Sequence, residues 1–159
     1  MARPEIDRMD RRILETLQAE GRLSNVELAD RVALSPSPCL RRVKRLEDDG
    51  VIAGYRAVVD RAKVGLGLTV FVEIKAGKHS RENAANLSRG IATMPEVVSC
   101  HIVSGTADFL AEIVVPDLAA YEHFMLDRLL ALPTVEDVRS YFAIRTLKTA
   151  APLPLGHLG

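Results

Sequence analysis

The 159-residue sequence is poor in cysteine, in long apolar runs and in net charge. Two cysteines, Cys39 and Cys100, exclude a disulfide scaffold and suit a reduced, cytoplasmic protein. No apolar run approaches the ~18 residues that span a bilayer, so no membrane partner is expected. Residues 1–12 are charged and lack the apolar core of a signal peptide. The 21 Lys and Arg balance 21 Asp and Glu, which excludes a bulk basic footprint for a polyanion. What is present is ordinary for a globular chain, 48% apolar and 26% charged, with room for one domain or two small ones.

Zero net charge conceals a local pattern. Residues 1–60 hold 11 Lys and Arg against 11 Asp and Glu. Yet residues 34–46 contain Arg41, Arg42, Lys44 and Arg45 and no acid, and Glu47, Asp48 and Asp49 follow at once. The pattern around them predicts three helices. Asp7 with Asp10 caps the first, Ile13, Leu14 and Leu17 give it an apolar stripe, and Gly21 stops it. Ser24 with Glu27 forms a capping box for the second, where Val26, Leu28, Ala29 and Val32 recur at helical period. Ser35 caps the third, with Pro36 in the first helical position. Leu40, Val43 and Leu46 form its expected buried stripe, and Gly50 ends it.

Only Ala33 and Leu34 separate the second helix from the third cap. Two short capped helices across a tight turn, the second with a basic face, make a helix-turn-helix over about residues 25–44. At ~100° per residue from Leu40, Ser37 falls near ~60°, Arg41 near ~100°, Arg45 near ~140° and Pro38 near ~160°, all away from the stripe. Cys39, near ~260°, turns inward. Ser37 and Pro38 permit close approach to a major groove, and Arg41 can reach a guanine edge. Arg42, Lys44 and Arg45 can meet phosphates. Ser24, Asn25 and Ser35, where the two helices begin, complete the candidate DNA-facing set. A short strand over residues 54–59 is expected to follow, as a wing or a hinge.

After a linker at residues 61–67 the order changes to β-α-β-β-α-β, that of a ferredoxin-like domain. A strand over residues 69–76 places Val70, Val72, Ile74 and Ala76 on one face. A helix over residues 80–94 aligns Ala84, Leu87, Ile91 and Met94. Strands over 97–103 and 109–115 flank a turn at residues 104–108. A helix capped by Asp117 runs to Leu132, and the last strand covers 138–147. The class is therefore α+β, with a DNA-binding domain at 1–60, a second domain at 68–149 and a flexible or subunit-docking tail at 150–159. Phe71, Leu110 and Val114 leave the second sheet face apolar, which a second copy would cover in a two-fold dimer. Such a dimer matches a pseudo-palindromic operator in double-stranded DNA.

Several stretches together resemble the Lrp/AsnC family of transcription regulators. Leu34-Ser35-Pro36-Ser37-Pro38-Cys39-Leu40-Arg41-Arg42-Val43-Lys44-Arg45-Leu46-Glu47 is similar to its recognition helix, and Gly50-Val51-Ile52-Ala53-Gly54-Tyr55 to the exit from it. Cys100-His101-Ile102-Val103-Ser104-Gly105 with Asp108 resembles the start of its effector loop. Leu132-Pro133-Thr134-Val135 and Arg139-Ser140-Tyr141 stand where the family has a second loop and its last strand. The resemblance covers the chain from about Asp7 to Lys148. It implies a winged-helix-like helix-turn-helix followed by a ferredoxin-like RAM domain that senses an amino acid or related metabolite. It also implies dimers that assemble further, to octamers in many members, with the effector between subunits. The implied effector residues are Ile102, Gly105, Thr106, Ala107, Asp108, Leu118, Leu132, Thr134, Val135, Tyr141, Phe142 and Ala143. Thr106 and Ala107 stand where the family commonly has an acidic residue and an aromatic, and Thr134 where it has glycine, so the resemblance does not name the effector. Asp108 has two readings: it meets an effector ammonium while backbone N–H groups take the carboxylate, or it only stabilises the turn.

The competing function is a metabolite-binding or acyl-transfer enzyme on the ferredoxin-like domain, a fold that hosts many activities. No catalytic constellation supports it. Cys100 and His101 are strand neighbours and point to opposite faces. No C-x-x-C or H-x-x-x-H spacing offers zinc its ligands, and Gly65 and Gly67 precede a strand rather than a helix, so neither metal nor cofactor is expected.

Overall fold

The computed structural model describes residues 4–77 and 81–158. They form two compact units. The first runs up to Val58 and takes in the chain again from Lys148, and the second lies between, from Val59 to Leu147.

Three helices build the first unit: α1 (Arg8–Ala19), α2 (Asn25–Val32) and α3 (Pro36–Asp48). Both predicted capping boxes are present. The Asp7 carboxylate accepts from the Asp10 N–H at 2.8 Å while Asp10 returns a bond to the Asp7 N–H, and Ser24 and Glu27 do the same for α2. Each box satisfies two of the amides that a helix start leaves unpaired. Ala33 closes α2 in the left-handed conformation, φ 57°, and the Leu34 N–H reaches back to the Ala29 carbonyl. That closure turns the chain sharply enough for Ser35 to begin α3 at once.

Ile13, Leu14, Leu28, Ala29, Val32, Cys39 and Leu46 form the core of this unit. Two expected stripe members are not in it: Val26 is 57% exposed and Leu40 52%. The buried face of α3 is centred on Cys39, Val43 and Leu46, so Leu40 lies ~90° off its middle. The chain beyond α3 also departs from expectation. Residues 54–59 form no strand: among the described residues no segment pairs with their backbone, and Tyr55, Val58 and Val59 are exposed.

The expected tail returns to α1. The Gln18 side chain makes a reciprocal pair with the Leu153 backbone, donating at 3.3 Å and accepting at 2.6 Å. Arg11 donates to the Leu158 carbonyl at 3.0 Å, Leu158 is buried and Leu155 packs on the core.

The second unit is a four-stranded antiparallel sheet with helices on one face. Its strands β1 (Leu68–Ala76), β2 (Val97–Ile102), β3 (Phe109–Val115) and β4 (Val135–Phe142) lie in the order β2-β3-β1-β4, the ferredoxin-like arrangement. Val70, Val72, Ile74, Phe109, Ala111 and Ile113 pack against Leu87 and Ile91 of α4 (Arg81–Ala92) and Tyr121 of α5 (Leu118–His123). Residue 80, the expected start of α4, lies outside the described residues. The residues expected as a linker hold a 3-10 turn, Ala62–Val64, and Arg61 anchors it to the sheet through Thr69 and Glu112.

Two boundaries shift. The α-helix expected to reach Leu132 ends at His123 and continues as a π-helical stretch, Phe124–Leu129, in which the Leu130 N–H bonds to the Met125 carbonyl five residues back. The last strand occupies Val135–Phe142 rather than 138–147, in register with Ala76 to Val70 of β1, its neighbour among the described residues, and a last bond runs from the Ala143 N–H to the Thr69 carbonyl. Past Ala143 the chain leaves β1, and Ile144 and Leu147 are exposed.

Candidate nucleic-acid interface and ligand site

The side chains of α3 divide into three sets. Cys39, Val43 and Leu46 face the core. Arg42 and Arg45, read from the sequence as phosphate contacts, pair with α1, and Arg45 remains exposed. Arg42 Nη1 lies 2.6 Å from Asp7 Oδ2 and 2.8 Å from Asp10 Oδ1, and Arg45 Nη2 bonds to Asp10 Oδ2. Asp10 is completely buried, and its carboxyl oxygens meet two guanidinium groups and the Asp7 N–H, the partners a buried acid requires. The helix-capping residues of α1 thereby also fix the rotation of α3.

Ser37, Leu40, Arg41 and Lys44 make the third set. They share the exposed face, and neither Arg41 nor Lys44 has a partner among the described residues. Ser24 is occupied by its capping box. Asn25 Nδ2 donates to the Pro36 carbonyl at 2.9 Å, joining the start of α2 to the start of α3. Ser24 therefore caps α2, and Asn25 ties α2 to α3. The Ser35 hydroxyl makes no capping bond and is exposed, and Pro38 is half-buried. What remains to face a ligand is a strip with a serine at the N-terminal end, then a leucine and two free cations.

Asp7 reports on this arrangement. Its carboxyl is held down at about 2, first by the Asp10 backbone N–H and then by Arg42. A carboxylate with a lowered folded value stabilises fully above its unfolded value of about 3.9, and the contribution is lost as pH falls through about 2. Asp7→Asn keeps a good cap but does not titrate. It is expected to flatten the fall in stability between about pH 4 and pH 2 in acid titrations followed by circular dichroism. An unaltered slope would remove Asp7 from the account.

In the second unit the implied effector residues fall into two groups. Gly105, Thr106, Ala107 and Asp108 form the β2–β3 turn, beside Ile102, which is 75% exposed. The Gly77 N–H donates to the Thr134 carbonyl, and Val135 pairs with Ala76, so these residues lie at the same end of β1. Leu132 is half-buried against the core and packs on Gly90 of α4, where an added Cβ would meet its Cδ2 at 2.9 Å. Leu118, Tyr141, Phe142 and Ala143 lie at the opposite end: Phe142 pairs with Val70, and Ala143 donates to Thr69. Six strand residues, ~20 Å, separate the groups, and one chain does not bring them together.

Ile102, Thr134 and Val135 lie outside a concavity of about 420 Å³ that Gly105, Thr106, Ala107 and Asp108 border and whose other walls are Glu73, Lys75, Asp137 and Arg139. These four escaped the sequence reading, although the signal was there. They alternate with the core residues of β1 and β4, so they must lie on the face opposite the helices. The register sets Glu73 beside Arg139 and Lys75 beside Asp137. Charges of both signs thus meet at one open site, as a zwitterion requires. Asp108 is partly engaged: its Oδ2 accepts from the Ala76 N–H at 2.8 Å, where a β-bulge takes that amide out of the ladder. Gly105 turns the loop at φ +127°, a conformation that suits glycine.

The outward face is less apolar than expected. Val114 is buried, and Glu112 is paired with Arg61. Phe71, 41% exposed, and its register partner Tyr141, 50% exposed, remain as an uncovered pair beside half-buried Leu110. On the edge strand, Cys100 sits opposite Ala111 and His101 opposite Leu110, so thiol and imidazole face different sides. Desolvation raises the Cys100 thiol above its ordinary value. No helix among the described residues is long and apolar enough to cross a membrane.

Comparison with known proteins agrees with both halves. Residues 6–53 match the winged helix-turn-helix DNA-binding family, and residues 69–153 the Lrp/AsnC ligand binding domain. The leucine-responsive regulatory protein of Escherichia coli is 42% identical over 144 residues, 91% of this chain and 88% of that protein. A Neisseria meningitidis transcriptional regulator solved as its L-Met complex superposes with a TM-score of 0.91 at 41% identity, covering 96% of this chain and 98% of the other. An AsnC family regulator from Agrobacterium tumefaciens gives the same TM-score and identity over 96% and 99%.

Proposed function

The chain belongs to the Lrp/AsnC family of DNA-binding transcriptional regulators, and we propose that α3 reads a pseudo-palindromic operator under the control of a bound amino acid. It is a regulator rather than an enzyme. The observation that carries the reading of α3 is the state of its five polar side chains near the groove-facing end. Arg42 and Arg45 are spent on α1, whereas Ser37, Arg41 and Lys44 are exposed and free of partners. Arg41 matches a guanine edge and Lys44 a phosphate.

The effector is an amino acid or a close metabolite, held at the concavity of the second unit. Arg139 and Lys75 suit its carboxylate, and Glu73 and Asp137 its ammonium. Asp108 shapes the wall through Ala76. The two groups of effector residues lie ~20 Å apart on one chain, so a complete site needs a second subunit. The Phe71–Tyr141 pair offers a surface for that subunit. The working form is therefore a dimer or a larger ring of dimers, and effector binding alters the spacing of its DNA-reading helices. Its free thiols suit the cytoplasm.

Calorimetric titration with L-amino acids, L-methionine and L-leucine included, tests the site. Arg139→Ala is expected to weaken the responding ligand about 10- to 100-fold, the worth of a charge-assisted contact. Binding that survives Arg139→Ala and Lys75→Ala at full strength would place the ligand elsewhere. Sedimentation that finds only single chains would overturn the shared site.

A further inference from the structure

We propose that Leu40 is a specificity-determining residue that reads the methyl group of a thymine in the operator. The inference rests on the assignment of α3 as the DNA-reading helix. Leu40 is the one large apolar side chain of α3 that the fold leaves out of the core: Cys39 and Leu46 are buried and Val43 is packed on them, whereas Leu40 is half exposed. It does not stand apart from the polar residues. Around the helix it lies ~40° from Lys44, ~60° from Ser37 and ~100° from Arg41, inside the strip that faces a ligand. It is the fifth residue of α3, in the N-terminal half that enters a groove first.

The chemistry selects one partner. Phosphates and most base edges offer only polar atoms in the major groove, and the C5 methyl of thymine is the apolar exception. A leucine facing phosphate or a guanine edge would gain nothing and would dehydrate polar groups. Facing a thymine methyl, it buries two apolar surfaces together. Arg41 and Leu40, adjacent in the chain, then recognise neighbouring base pairs by opposite means, the first through hydrogen bonds and the second through an apolar contact.

The test needs an operator, obtained by selecting tight-binding duplexes from a randomised pool with the unaltered protein. Each thymine of one half-site is then replaced by deoxyuridine, which removes the methyl and nothing else. Affinities are measured for the unaltered protein, Leu40→Ala and Arg41→Ala. At one thymine, loss of the methyl is expected to weaken the unaltered protein about fourfold, the value of one buried methyl group. The same change leaves Leu40→Ala unaffected, because the variant has already lost the contact. The surface position of Leu40 means that the variant folds, and an unchanged unfolding midpoint verifies it. Deoxyuridine that acts equally on both proteins at every position, or a selected operator without a required thymine, overturns the proposal while the Arg41→Ala loss upholds α3. If Arg41→Ala also binds as tightly as the unaltered protein, the assignment of α3 falls, and Leu40 with it.

Discussion

Alanine at Arg41 is expected to weaken binding to a selected operator by about 1–3 kcal/mol, roughly 5- to 150-fold, and to relax preference at one base pair. Availability decides the size of the effect. A guanidinium already engaged in the free protein must give up that partner before it can take a base, so its net gain is small. Arg42 and Arg45 are in that position, bound to Asp7 and Asp10. Arg41 is not, and its fork can meet the two acceptors of a guanine edge with nothing to break first. Lys44 provides the contrast. Its point charge suits a phosphate, so Lys44→Ala should weaken cognate and random duplexes alike and lower the salt dependence by about one unit of slope. Fluorescence anisotropy across a salt series on both duplexes separates the two. Equal losses for Arg41→Ala on cognate and random DNA would show that Arg41 does not read sequence.

The largest stability effect is expected at Asp10. Its carboxylate accepts from the Asp7 N–H, Arg42 and Arg45 while wholly removed from water. Asp10→Ala deletes half of the α1 capping box and leaves Arg45 without its α1 partner. Removing one partner of a buried pair costs about 3–5 kcal/mol when the survivor stays buried. Here both arginines are one-third to one-half exposed and can rehydrate, which brings the expected loss to about 2–3 kcal/mol. Against the 5–15 kcal/mol typical of a domain, that is a large fraction. Urea unfolding of the full chain should show it as a lower midpoint, with Asp10→Asn intermediate because it keeps the shape but not the charge. A midpoint unmoved by Asp10→Ala would mean that α3 is held by apolar packing alone.

The sequence is informative where one rule acts without competition. Asp7 with Asp10 and Ser24 with Glu27 mark helix starts because a short carboxylate or hydroxyl is the nearest acceptor for an otherwise unpaired amide. Alternation in Val70, Val72, Ile74 and Ala76 marks a strand with one buried face. The rule fails where a surface is decided by another element. On α3 the choice between burying Leu40 and turning Arg42 inward is nearly symmetric, ~90° against ~70° from the middle of the buried face. Periodicity favours leucine, but Asp10 on α1 draws the arginine. Likewise the end of β4 depends on its pairing with β1. The charged concavity depends on the register that sets Glu73 beside Arg139, which neither strand encodes alone.

The return of the last residues to α1 makes the effector module an insertion within the DNA-reading one, entered near Val58 and left near Lys148. Trimming the carboxyl end, an ordinary step in preparing a shortened protein, would strip Leu155 and Leu158 from the first helix and expose apolar surface there.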